Sequence, residues 1–74
     1  MKRTDYIHVI VYSTSHALQI ESLLNERGIP NKLIPVPRRI SSDCGVCIRV
    51  PAESEAELTR IISESGLEIQ GVVP

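Results

Sequence analysis

Residues 30–40 read PNKLIPVPRRI, and this stretch decides how a sheet can be built from the chain. Leu33, Ile34 and Val36 mark it as extended. Pro35 and Pro37 have no backbone N–H and cannot donate to a ladder. Being two apart, they leave their missing donors on the same side of a strand. That side has no neighbour, so the segment is expected to be an edge strand. Ile34, Val36 and Arg38 then direct their N–H groups to a single partner.

Upstream, YIHVIVYS (residues 6–13) is almost continuously apolar and β-branched. It reads as a central strand covered on at least one face. The period changes in STSHALQIESLLNERG (residues 13–28). Ala17, Ile20, Leu23 and Leu24 form one helical face, with Leu18 beside it. Ser13 or Ser15 suits the N-cap and Gly28 the left-handed C′ position. Downstream, SSDCG (residues 41–45) is a turn by composition. In VCIRVP (residues 46–51), Val46, Ile48 and Val50 face one way, Cys47 and Arg49 the other. Ser54 and Glu57 have capping-box spacing. Leu58, Ile61 and Ile62 supply the apolar face of a second helix closed by Gly66. LEIQGVV (residues 67–73) reads as a last strand.

The order strand, helix, strand, strand, helix, strand predicts an α+β, ferredoxin-like βαββαβ arrangement. It would have one four-stranded antiparallel sheet, strand order 4-1-3-2, with two helices on one face. In that order strand 2 is an edge, which the prolines require on separate grounds. The 74 residues leave room for one core, so residues 1–74 are read as a single domain. The chain has no Trp or Phe and 2 Tyr, which argues against base-stacking platforms and against a nucleic-acid partner. The N-terminal apolar run is too short for a membrane span and has no signal-peptide cleavage pattern. A cytoplasmic location with both thiols reduced is the expectation.

The formal net charge of −1 hides an uneven distribution. Arg27, Lys32, Arg38, Arg39 and Arg49 crowd residues 27–49, with Asp43 as the counter-charge. Glu53, Glu55, Glu57, Glu64 and Glu68 dominate residues 52–68. The basic block favours an anionic ligand or partner. Both cysteines, Cys44 and Cys47, lie inside it.

The topology puts the turn between strands 2 and 3 at the same end as the loop between strand 1 and helix 1. Cys44 is therefore expected near residues 13–16 and the N-terminus of helix 1, where free N–H groups favour an anion. A thiol there, close to Arg38 or Arg39, would be held as thiolate. Ser13, Thr14 and His16 would donate hydrogen bonds to what it carries. In an extended segment Cys44 and Cys47 would stand roughly 10 Å apart at ~3.3 Å per residue, and a disulfide needs about 7 Å or less. Cys47 is retained as a second thiol, with packing as its simpler role. His8, in mid-strand, is read as a surface or interface residue. Two thiols and one imidazole fall short of a closed tetrahedral metal set, so neither a metal nor another cofactor is expected.

Residues 13–50 resemble the selenium/sulfur carrier protein-like family of small bacterial proteins. The shared features are a Ser-Thr-x-His-Ala helix start, a Gly-Ile-Pro bend, a Pro-x-Pro-Arg strand and a Ser-Ser-x-Cys-Gly turn. The resemblance implies that a cysteine holds selenium or sulfur as a perselenide or persulfide for delivery to a partner. Its motif residues fall on Cys44 and Gly45, on Ser13, Thr14 and His16, on Arg38, and on Ser41 and Ser42. A carrier served by donor and acceptor proteins is thus expected, rather than a stand-alone enzyme. The second reading is a non-covalent ligand-binding or regulatory module without thiol chemistry. For either, the open sheet face, carrying His8, Ile10 or Tyr12 with Cys47 and Arg49, is a candidate homodimer surface.

Overall fold

The computed structural model describes residues 5–40 and 45–74. Its elements are β1 (Tyr6–Ile10), α1 (Thr14–Glu26), β2 (Lys32–Pro35), β3 (Val46–Pro51), α2 (Glu55–Ser65) and β4 (Gly71–Val73). A 3₁₀ turn, Ala52–Ser54, leads into α2. The four strands form one antiparallel sheet in the order β2-β3-β1-β4. The class is α+β.

β2 lies at an edge, as the prolines require. It pairs with β3 from Lys32 opposite Arg49 to Pro35 opposite Val46. Val36 adds one more bond, its N–H donating to the Gly45 carbonyl at 3.0 Å. Arg38 does not continue the strand. Beyond Val36 the chain turns, and the Ile40 N–H donates to the Pro37 carbonyl at 2.9 Å. An edge strand is held by one ladder, so little opposes its leaving the sheet early.

The strand period sets the core. Ile7 and Val9 of β1 and Ile48 and Val50 of β3 alternate onto one face. They join Ala17, Ile20 and Leu24 of α1 and Leu58, Ile61 and Ile62 of α2 in one buried cluster. Both helices therefore pack on the same side of the sheet. Each fully buried Ile, Leu or Val contributes roughly 1.5–3 kcal/mol over its exposed state. In a core without Phe or Trp, these aliphatic contacts carry the packing.

The helix ends follow their chemistry unequally. Ser13 caps α1 in an extended conformation, and its Oγ accepts the His16 N–H at 3.2 Å. Gly28 follows the C-cap with φ +74°. Gly66 closes α2 with φ +78°, its N–H donating to the Ile62 carbonyl at 3.2 Å. The expected capping box at Ser54 and Glu57 is not formed. Ser54 has φ −93° and ψ 4° and makes no side-chain cap bond, because the preceding 3₁₀ turn takes the extended backbone a capping box uses. The last strand is also shorter than its apolar pattern. Leu67 and Ile69 pack against the core from irregular backbone, and only Gly71–Val73 pairs with β1.

These caps predict opposite outcomes for two similar changes. Ser13→Ala should cost about 1 kcal/mol of unfolding free energy in urea titration. Ser54→Ala should stay within about 0.5 kcal/mol of the parent. Equal losses would contradict the cap assignment.

Candidate functional site

The candidate site lies where β1 ends and α1 begins. Ile10 at the end of β1 pairs with Cys47, the second residue of β3. The start of β3 and the start of α1 therefore share one end of the sheet. Cys44, Ser41 and Ser42, and with them the expected approach of Cys44 to residues 13–16, lie outside the described residues.

The described members of the site have distinct tasks. The Ser13 hydroxyl is committed as an acceptor to the helix cap, and its carbonyl accepts the Ala17 N–H at 3.1 Å. Thr14, the first helical residue, is exposed. The first turn of α1 holds no acidic side chain, so nothing there offsets the positive end of the helix dipole. His16 is half-buried, and its ring meets Tyr12 edge-on at 6.5 Å with an interplanar angle of 81°. Its Nδ1 is buried without a hydrogen-bond partner among the described residues. Gly45 is exposed with φ +80°, a backbone state that a side chain would strain. Its carbonyl, tied to Val36, fixes the point where the chain re-enters the sheet.

The two arginines differ. Arg38 is exposed in the turn after β2. Arg39 Nη donates to the Pro74 carbonyl at 2.9 Å. It thereby links the β2–β3 connection to the residue after β4, at the other side of the sheet. Arg39 and Ile40 line a cleft of about 410 Å³ with Ile10, Gln70, Gly71 and Val73. Nothing in the spacing of the sequence singles out Arg39 for this contact.

The face away from the helices carries His8 and Ile10 of β1 opposite Arg49 and Cys47 of β3, as the alternation requires. It is not open at its centre. His8 is 8% exposed, Ile10 4% and Cys47 0%. His8 is thus a buried residue rather than a surface one. Arg49 and Val73 flank it in the ladders. The Arg49 guanidinium lies over the Tyr6 ring, 4.4 Å from its centroid. Cys47 sits between its cross-strand partners Ile34 and Ile10, outside the helix-facing cluster. Among the described residues, no three His, Cys, Asp or Glu side chains converge to hold a metal ion. No described helix is long and apolar enough to cross a membrane.

The α+β frame brings the end of β1, the start of α1, the start of β3 and Arg39 of the β2–β3 connection to one end of the sheet. The chain belongs to the family described as Putative Se/S carrier protein-like, whose model matches residues 6–74. No curated protein and no solved structure shows a significant match.

The burial of Cys47 sets its reactivity. In the native protein its alkylation, read by peptide mass spectrometry, should be at least about tenfold slower than in urea, because reagent reaches it only through opening of the sheet. Equal rates in the two states would show that the helix-free face is accessible.

Proposed function

We propose that this protein carries sulfur or selenium as a persulfide or perselenide on Cys44 and delivers it to a partner protein. Membership of the carrier-like family carries the reading. The shared sheet end of α1 and β3 supports it, as does the positive φ of Gly45, the residue bonded to Cys44. The sheet order, with both helices on one face, favours a ferredoxin-like topology for the whole domain.

The chemistry is a transfer with no net oxidation. The Cys44 thiolate attacks the outer sulfur of a donor persulfide. A new S–S bond forms to Cys44, the donor S–S bond breaks, and the donor leaves as its thiolate. An acceptor nucleophile then attacks the outer atom and releases the Cys44 thiolate. Selenium follows the same course with an outer selenol. The free N–H groups of α1 and the Arg38 guanidinium would stabilise the anionic thiolate and its adduct. His16, with an unsatisfied ring nitrogen, and Thr14 would offer hydrogen bonds to the outer atom, while Ser13 holds the cap. Ser41 and Ser42 would shape the loop on its other side. A reducing compartment such as the cytoplasm suits the cycle, with donor and acceptor proteins as partners.

The test is persulfide loading. Reduced protein treated with a cysteine persulfide donor should gain the mass of one sulfur atom on the Cys44 peptide. Cys44→Ser should abolish the adduct and Cys47→Ala should retain it. The alkylation rate of Cys44 should rise with pH about a midpoint below the ordinary thiol value of ~8.5. An unmodified wild-type protein, or an adduct that survives Cys44→Ser, overturns the reading. A non-covalent binding module would keep its ligand in Cys44→Ser.

A further inference from the structure

The helix-free face carries a second basic feature, far along the strands from the thiol loop. Lys32 of β2 stands directly opposite Arg49 of β3, and Arg49 directly opposite His8 of β1. Three adjacent strands thus place Lys32, Arg49 and His8 in one transverse row, all on one face. Like charges in directly opposed positions repel. No carboxylate among the described residues pairs with Lys32 or Arg49.

Two further observations point to a ligand. Arg49 is not a loose surface side chain, because its guanidinium is held on the Tyr6 ring. A guanidinium held over a ring face keeps its own in-plane N–H donors available. A cleft of about 230 Å³ opens beside it, lined by Tyr6, Pro30, Asn31, Lys32, Arg49 and Pro51. Asn31 on the cleft wall is fixed in place, its Nδ2 donating to Asn25 Oδ1 and the Ile29 carbonyl.

We propose that this cleft binds a phosphate-class oxyanion, free or as the monoester of a small molecule. The Arg49 fork would take two oxygens and Lys32 would neutralise a second charge. A monocarboxylate carries one charge in one plane and matches two adjacent cations less well than a tetrahedral dianion. The cleft, of about 230 Å³, is of a size for a small molecule. The site is independent of Cys44 and of the proposed carrier cycle.

The experiment is an amide ¹H–¹⁵N titration of the full chain with inorganic phosphate, then with glycerol 3-phosphate, ionic strength being held constant with chloride. Saturable shifts are expected at Lys32, Arg49 and His8, and not at Arg27 or Arg60. Tighter binding of the monoester assigns its organic part to Tyr6, Pro30 and Pro51. Equal binding makes the bare ion the ligand, and both outcomes support the site. Arg49→Gln also removes the stack on Tyr6, so the primary variant is Lys32→Gln at an exposed position. It should weaken binding at least about tenfold, the effect of losing one charge-assisted contact. Shifts that do not saturate, that appear equally at Arg27 and Arg60, or that survive Lys32→Gln unchanged overturn the proposal.

Discussion

The structure depends on the burial of one five-residue strand from both sides. β1 hydrogen-bonds to β3 along one edge and β4 along the other. Ile7 and Val9 face the helices, while His8 and Ile10 face the opposite way, and all four are buried. A strand in that position cannot slip by one residue without exchanging its aliphatic pair for an imidazole and one isoleucine. The register of β1 in turn sets that of β3 and, through β3, that of β2. It also fixes where α1 starts, and so which residues meet at the end of the sheet where β1 finishes and β3 begins.

That end is built mainly from backbone. The helix start, the left-handed Gly45 and the Gly45–Val36 hydrogen bond define where the connection leaves and re-enters the sheet. The side chains around them divide the work. Ser13 is structural, Thr14 and Arg38 are exposed, and the buried His16 Nδ1 has no hydrogen-bond partner among the described residues. A carrier needs little more than a thiol that partners can reach and a surround that favours its anion.

Much of this was legible in the residues. The prolines at 35 and 37 placed β2 at an edge through their missing donors, and the alternation in VCIRVP separated the faces of β3. The aliphatic spacing of both helices named the core almost residue by residue. What escaped was set by tertiary context. His8 reads as a polar interruption in an apolar strand, and only its flanking by Arg49 and Val73 explains its burial. Ser54 and Glu57 have the right spacing for a capping box, but a preceding 3₁₀ turn is invisible to spacing. The reach of Arg39 to Pro74 joins residues 35 apart in sequence, and no local pattern encodes it.

The two borders of the sheet have a consequence for association. Exposed strand edges invite pairing with other chains, and short apolar sheets are prone to stack edge to edge. Here β2 ends at Pro35, which has no N–H to offer outward, and Pro37 follows just beyond it. β4 is only three residues long and is followed by Pro74. Neither border offers a run of donors on which a foreign strand could template. Growth into fibrils by strand addition is thereby discouraged in a chain rich in Ile and Val. Encounters with other proteins are steered to the faces and the connecting loops.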